Sequence, residues 1–314
     1  MINRLIFVNR HLGITGAIRA VYFAILTGIA RSVGIKTMKR SVHNYKMHLD
    51  TGDRGLSRTL FLYGKREIDH YKLLHEILHP GMNILDIGAN IGYYAIMEAK
   101  VIGDLGSVTA IEPMDTNIEL LKRNVELNKL GNISIHHAAV STSTGTGEMF
   151  RSTHSNLHTF HSDGSAASSL DETPIEVPTI TLKDAAEKAG GKVDLMRMDV
   201  EGHEVEILGQ LAELADDNFA PSVIFETHLS RYTSNNDFKP VLSKLFDLGY
   251  KVTSASSSGA SGTKAVAARG YIPEPEFYSD FGVRNIFRNI GDDDAIDMIC
   301  EAGGLRTILL ERTG

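Results

Sequence analysis

The chain has 314 residues, 42% of them hydrophobic, enough to build a substantial core in one large or two small domains. Its 32 Lys and Arg against 39 Asp and Glu give a formal charge of −7, which argues against a general binder of phosphate backbones and so against nucleic acid as a partner. A single cysteine, Cys300, excludes an intrachain disulfide and a multi-cysteine metal site, and suits a reducing compartment.

The charge is unevenly spread. Met1 to Leu49 holds no Asp or Glu, whereas Arg4, Arg10, Arg19, Arg31, Lys36, Lys39, Arg40 and Lys46 are basic. Within it "AVYFAILTGIA" (Ala20 to Ala30) is apolar but only about half the ~20 residues that a spanning helix needs. Arg31 follows directly, where a signal peptide would place small residues for cleavage. The expectation is a basic, helical extension over residues 1–58. It would lie on an anionic membrane surface through residues 1–49, or else cap the main domain or a second copy in a homo-oligomer.

A main domain is expected over 59–314. "HPGMNILDIGA" turns at Pro80-Gly81 and continues as a short apolar run, which reads as a buried strand with a helix from about Gly92. "GSVTAIEP" is a second strand, stopped by Pro113. "DTNIELLKRNVELNKLG" is an amphipathic helix with Asp115 at its start and Gly131 at its end, and "ISIHHAAV" is a third strand. The alternation continues through "VDLMRMDVEG", "HEVEILGQLAEL", "PSVIFETH", "FKPVLSKLFDLGY" and "KVTSAS", so the class is α/β, a parallel sheet with helices on both faces. Residues 141–175, rich in Ser, Thr, His and Gly, read as a substrate-facing flap, and 254–282 as loop.

In such a sheet ligands sit beyond the carboxyl ends of the strands, where strand order reverses. The turn Gly88-Ala89-Asn90-Ile91-Gly92 lacks both the G-x-G-x-x-G of dinucleotide binders and the Gly-Lys-Ser/Thr of a P-loop. Asp86 would repel a pyrophosphate yet pair with an ammonium group, and Glu112, ending the second strand, is placed for both hydroxyls of a ribose. An amino acid joined to a nucleoside, S-adenosylmethionine, satisfies both.

"DIGANIGYY", "IEP", "AAVS", "TLKDA", "DLMRMDVEGHEVEIL" and "IFETH" together resemble the FkbM-type S-adenosylmethionine-dependent methyltransferases over roughly residues 60–255. The resemblance implies a class I, Rossmann-like sheet of seven strands, the last antiparallel. It implies that Asp86, Gly88, Asn90 and Gly92 line the methionine end, with Glu112 on the ribose and Ala138 and Ala139 beside adenine. Glu67, in "GKREIDHY", Tyr93 and Asp199 complete the expected cofactor set.

Methyl transfer to an alcohol requires in-line alignment and removal of a proton. Asp199, Glu201, His203, Glu226 and His228 fall at the ends of the fourth and fifth strands. Asp199 is the first choice for contact with the reacting group, and Glu201 is either catalytic or a helix-start cap. His158 on the flap, with Asn156 orienting the hydroxyl, is a second candidate base. A divalent cation held by Asp199 and Glu226 is a third route. The metal ligands are otherwise undetermined.

The resemblance implies O-methylation of a sugar, glycan or other hydroxylated metabolite. The basic N-terminus turns this toward a lipid-linked saccharide, handled in the cytoplasm at the inner face of a membrane. Without tryptophan, Tyr93, Tyr94, Tyr232 and Tyr278 are the candidates for stacking on sugar. The alternatives are methylation of a small secondary metabolite, or a non-catalytic cofactor-binding subunit of a glycan-assembly complex. No Asn-Pro-Pro-aromatic signature of nucleic-acid methyltransferases occurs.

Overall fold

A computed structural model of the chain describes residues 2–150, 160, 173–216, 218–279 and 282–313, with side chains from residue 13 onward. The first helix, α1 (Ile2–Ser32), is broken at Gly13, whose φ of 70° and ψ of 175° are not helical. The straight part, Gly13–Ser32, has 20 residues of mean hydropathy 1.5 and is 11% buried. By length and composition alone it is apolar enough to cross a bilayer, because Ile14 and Ile18 extend the eleven-residue run on which a spanning helix was set aside.

Residues 33–55 are not helical as expected. β1 (Thr37–Val42) and β2 (Tyr45–Asp50) form a hairpin, turned at His43-Asn44 with Val42 opposite Tyr45. Alternation explains it: Val42, Tyr45, Met47 and Leu49 are buried and pack into one core with Leu60 and Phe61 of α2 (Leu56–Tyr63) and Leu73 and Leu74 of α3 (Ile68–Ile77).

The α/β unit then runs β3 (Asn83–Ile87), α4 (Tyr93–Ile102), β4 (Ser107–Glu112), α5 (Asp115–Leu127), β5 (Ile133–His137), β6 (Ala139–Val140), β7 (Gly145–Met149), β8 (Ile175–Ile180) and α6 (Leu182–Lys188). It continues with β9 (Leu195–Met198), α7 (Glu204–Leu214), β10 (Ser222–Glu226), α8 (Lys239–Asp247), β11 (Tyr250–Ser257), α9 (Ala260–Ala267), β12 (Phe277–Ser279), β13 (Gly282–Arg284), β14 (Ile286–Ile290), α10 (Asp292–Ile296) and β15 (Leu305–Arg312).

The main sheet has the order β14-β11-β15-β10-β9-β3-β4-β5. Strands β10, β9, β3, β4 and β5 are parallel, while β15 is antiparallel to both of its neighbours. Seven strands with an antiparallel last strand are therefore present, and β14 adds an eighth at the edge, antiparallel to β11. Strand order reverses at β3, between β4 and β9, so the carboxyl ends of these three strands frame the expected crevice. One core cluster lies on each face of the sheet: Leu85, Met196 and Phe225 point into one, Ile84, Leu195 and Ile224 into the other, as pleating demands.

Three local expectations change. "ISIHHAAV" divides at Ala138, and β6 leaves the main sheet to join the three-stranded sheet β6-β8-β7. Asp115 sits in the first turn of α5 but does not cap it; Met114, extended, precedes the helix. Residues 254–282 are not simply loop, since β11 runs on to Ser257 and α9 follows.

Candidate active site

Two clefts meet at the carboxyl ends of β3, β4 and β9. The larger holds about 580 Å³ of empty volume, with Glu112, Pro113 and Asn117 on one wall, Ala138, Ala139 and Phe160 on another, and Asp199 and Glu201 at its end. The smaller, about 280 Å³, is walled by Arg66, Glu67, Tyr93, Tyr94 and Arg197. Gly88, Asn90 and Asp199 line both, so the turn after β3 is the ridge on which an elongated ligand would lie.

Gly88 has φ 78°, and a Cβ there would meet the Asp199 carbonyl oxygen at 2.3 Å; the close approach of two strand ends demands glycine. Gly92 (φ 89°) serves packing instead. Its missing Cβ would lie 2.5 Å from Leu121 Cδ1, facing α5 and not the clefts. Asn90 also has positive φ (52°), and its backbone N–H donates to Glu112 Oε2 at 2.8 Å. Met114 N and Asn117 Nδ2 donate to Glu112 Oε1, both at 3.0 Å. Burial pushes the Glu112 carboxyl up to about 7, opposed by these three donors.

Asp86 lies behind the turn, outside the lining of both clefts. Its side chain is fully buried, and Arg197 Nη1 holds Asp86 Oδ1 at 3.1 Å, so a cation of the protein itself already faces its charge. The same nitrogen donates to the Gly88 carbonyl at 3.2 Å, Arg197 Nη2 lies 3.4 Å from Asp199 Oδ2, and the guanidinium stacks 4.3 Å over Tyr94. Burial would discharge Arg197, but Asp86 and Asp199 outweigh it and raise its pKa above the ordinary guanidinium range.

Glu67, like Asp199, lines the smaller cleft. It has φ 47°, accepts from the Tyr94 hydroxyl at 3.0 Å and pairs with Arg66 Nε at 2.6 Å. Burial raises its pKa, yet Arg66 and Arg306 overcome this and hold it well below the usual carboxylate range. The Tyr93 hydroxyl donates to the Arg66 carbonyl at 2.8 Å, fixing the loop that carries both residues.

Asp199, Glu201 and His228 present ligand atoms all within 4.8 Å of one another. His228 Nδ1 donates to Glu204 Oε1 at 2.6 Å, and its Nε2 lies 3.6 Å from Glu201 Oε2. Burial lowers the imidazole's pKa, but Glu204 and Glu201 carry it well above its ordinary value. Burial pushes Glu201 up to about 7, with His228 opposing. Glu201 is no helix cap: it precedes α7 by three residues, and its own φ is 51°. Glu226 is paired with Arg306 Nη2 at 2.7 Å and lies near enough to Asp199 and His228 to feel their charges, but it is not one of the three clustered ligands. A divalent cation would instead find Asp199, Glu201 and His228. His203 stacks on Phe160 at 4.6 Å on the cleft wall. His158, with His154, Asn156 and His161, lies outside the described residues.

Sequence reasoning missed Arg197, Arg66, Glu204 and Arg306. Arg197 left a signal, a lone charge within the apolar strand "LMRM". The residues fit S-adenosylmethionine: Glu112 for the ribose, the small Ala138 and Ala139 beside adenine, the Cβ-free Gly88 beneath, and Glu67 with Arg66 for the amino-acid end.

The model of the methyltransferase FkbM domain matches residues 86–252, just over half of the chain. Protein-L-isoaspartate O-methyltransferase of Methanothrix thermoacetophila is 33% identical over 58 residues, 18% of this chain and 28% of that protein. A probable cobalt-precorrin-6B C(15)-methyltransferase (decarboxylating) of Sulfurisphaera tokodaii is 38% identical over 71 residues, 23% and 37% of the two chains. The chain thus spans about a third of the length of these relatives. Among solved structures, M. jannaschii TYW2 in complex with AdoMet superposes with a TM-score of 0.43 at 15% identity, over 88% of this chain and 87% of the other. The SAM-dependent O-methyltransferase of Thermotoga maritima gives 0.41 at 13% identity, over 89% and 86%. The chain belongs to the FkbM methyltransferase family.

Proposed function

We propose that the chain methylates a hydroxyl oxygen of a sugar, glycan or lipid-linked saccharide. The observation that carries this reading is the cluster of Asp199, Glu201 and His228, of which Asp199 and Glu201 line the cleft. The cofactor supplies an electrophilic methyl carbon. The acceptor oxygen forms a bond to that carbon as the carbon–sulfur bond breaks, and the hydroxyl proton must leave. Glu201, held near neutrality by burial, receives it, because a general base works best when its pKa lies near the working pH. His228, fixed by Glu204, holds the Glu201 carboxylate, and Asp199, backed by Arg197, aligns the hydroxyl. Two carboxylates side by side also suit a polyhydroxylated acceptor. By their names one relative methylates oxygen and the other carbon; they support methyl transfer, and the choice of oxygen rests on the cluster.

The test is transfer of isotopically labelled methyl from S-adenosylmethionine to a membrane glycolipid extract, with the product analysed for sugar methyl ethers. Label on carbon or nitrogen, or none on any saccharide, overturns the reading. The three clustered side chains support a second one, in which a divalent cation there lowers the pKa of a bound hydroxyl. Turnover abolished by a chelator and restored by Mg²⁺ or Mn²⁺ selects it; turnover indifferent to a chelator selects Glu201.

A further inference from the structure

Helix α1 is apolar on two sides, and the protein covers one. Ala20 and Ala30 are each 5% exposed, Phe23 lies under the Arg40 guanidinium at 3.9 Å, and this face meets α2. On the other face Ile14, Ile18, Tyr22, Ile25, Ile29 and Val33 recur at spacings of three and four, every one more than half exposed. The stripe is roughly 28 Å long at the helical rise. A monomer rarely leaves such a continuous apolar surface to water.

A second feature adjoins it. Along the flank of α1, Arg31, Arg54 and Arg58 surround a groove of about 830 Å³ whose floor includes Ala24, Gly28 and Phe61. Asp53 also lines the groove, but its carboxylate accepts from Gly55 N at 2.8 Å and Ser57 N at 2.7 Å within its own turn. An apolar floor below three guanidinium groups is complementary to an acyl chain ending in a phosphate.

We propose that this surface docks on an anionic phospholipid bilayer, α1 lying in the interfacial plane with its isoleucines among acyl chains and Arg31, Arg54 and Arg58 at headgroup phosphates. Charge decides against a second copy. A two-fold interface would set one basic flank against another, three arginines to the single acid, Asp53, among the groove's lining residues. Geometry decides against spanning. The covered face of α1 is seated on the domain, Arg31 Nε donates to the Thr51 carbonyl at 3.0 Å, and Arg19 is exposed within the segment Gly13–Ser32, where a bilayer would desolvate it. The proposal is independent of the acceptor's identity.

The experiment is sedimentation of the full chain with phosphatidylcholine vesicles with and without phosphatidylglycerol, at low and high salt. Ile18→Asp with Ile25→Asp should lower partitioning onto the anionic vesicles about tenfold or more. Arg54→Glu and Arg58→Glu should each lower it about fivefold. Salt should weaken binding, and S-adenosylmethionine affinity, measured on each variant, should be unchanged and report an intact fold. No binding to anionic vesicles at low salt overturns the proposal, as does equal binding to neutral vesicles or binding indifferent to the isoleucine substitutions. A dimer dissolved by Ile25→Asp without vesicle binding gives the face to a second copy. Wild-type protein released from cell membranes only by detergent makes α1 a spanning helix.

Discussion

Arg197 Nη1 lies 3.1 Å from Asp86 Oδ1, and the two side chains, 3% and 0% exposed, form a buried pair beneath the glycine turn. Removing one member leaves the other charged and dry, which costs about 3–5 kcal/mol. Arg197→Met is therefore expected to lower unfolding free energy by about 3 kcal/mol, and the double variant with Asp86→Asn by less than the sum of the two single changes. Urea unfolding of the three variants measures this; additive losses would show that the pair is not energetically coupled.

The two glycines of the turn should differ in tolerance. Both have positive φ, which L residues adopt at a cost of roughly 1–2 kcal/mol. A Cβ on Gly92 meets only the end of the Leu121 side chain, which can move, whereas a Cβ on Gly88 meets the Asp199 backbone carbonyl. Gly88→Ala should abolish S-adenosylmethionine binding and destabilise more than Gly92→Ala, which should cost about 1–2 kcal/mol and keep measurable affinity. Calorimetry with the cofactor and urea titration of both variants check the ranking.

With Glu112 proposed as the ribose acceptor, cofactor affinity is expected to depend on pH. The carboxylate accepts from ribose hydroxyls better than the neutral acid, and burial places its pKa at about 7. Affinity should therefore rise as pH passes from 6 to 8, by up to about tenfold per unit below the pKa, and Glu112→Gln should flatten the dependence. In the apoprotein the direction reverses. A carboxyl whose pKa is raised on folding stabilises while protonated, and this is lost as pH rises from the ordinary carboxylate range through about 7. Saturating cofactor should remove that loss, a difference that thermal melts at pH 6 and 8 with and without ligand would expose.

The sheet was legible because its strands are short apolar runs bounded by Gly and Pro, and the "GANIG" turn declared itself by spacing. Residues whose meaning comes from a partner far along the chain were not legible. Asp86 reads as a ligand acid, and nothing near it in sequence announces its pairing with Arg197, 111 positions later. Glu201 looks like a cap until the start of α7 is located at Glu204. The β1–β2 hairpin was masked by the charge of its exposed positions, with only alternate residues reaching the core. Strand β14 was missed because it follows a stretch rich in Ser and Gly that reads as loop.

The chemistry proposed for Glu201 has a signature in its dependence on His228. Turnover by a carboxylate base should follow ionisation of that group, rising with pH through about 7 to a plateau. Glu201→Gln should lower kcat by about 10²–10⁴ while leaving S-adenosylmethionine affinity within about twofold. His228 acts through Glu201 in this scheme, so His228→Asn should not mimic that loss. Taking an imidazolium from 3.6 Å away removes an opposite charge, which raises the carboxyl's pKa. The ascending limb of the kcat profile should then move to higher pH, by roughly one unit, with activity recovered in alkaline buffer. Glu204→Gln loosens His228 but also removes a like charge that raises the Glu201 carboxyl, so the two effects oppose and the limb should move less. A His228→Asn profile that keeps the wild-type midpoint and is scaled down uniformly would remove His228 from this role, and a Glu201→Gln enzyme with wild-type turnover would move the base to Asp199.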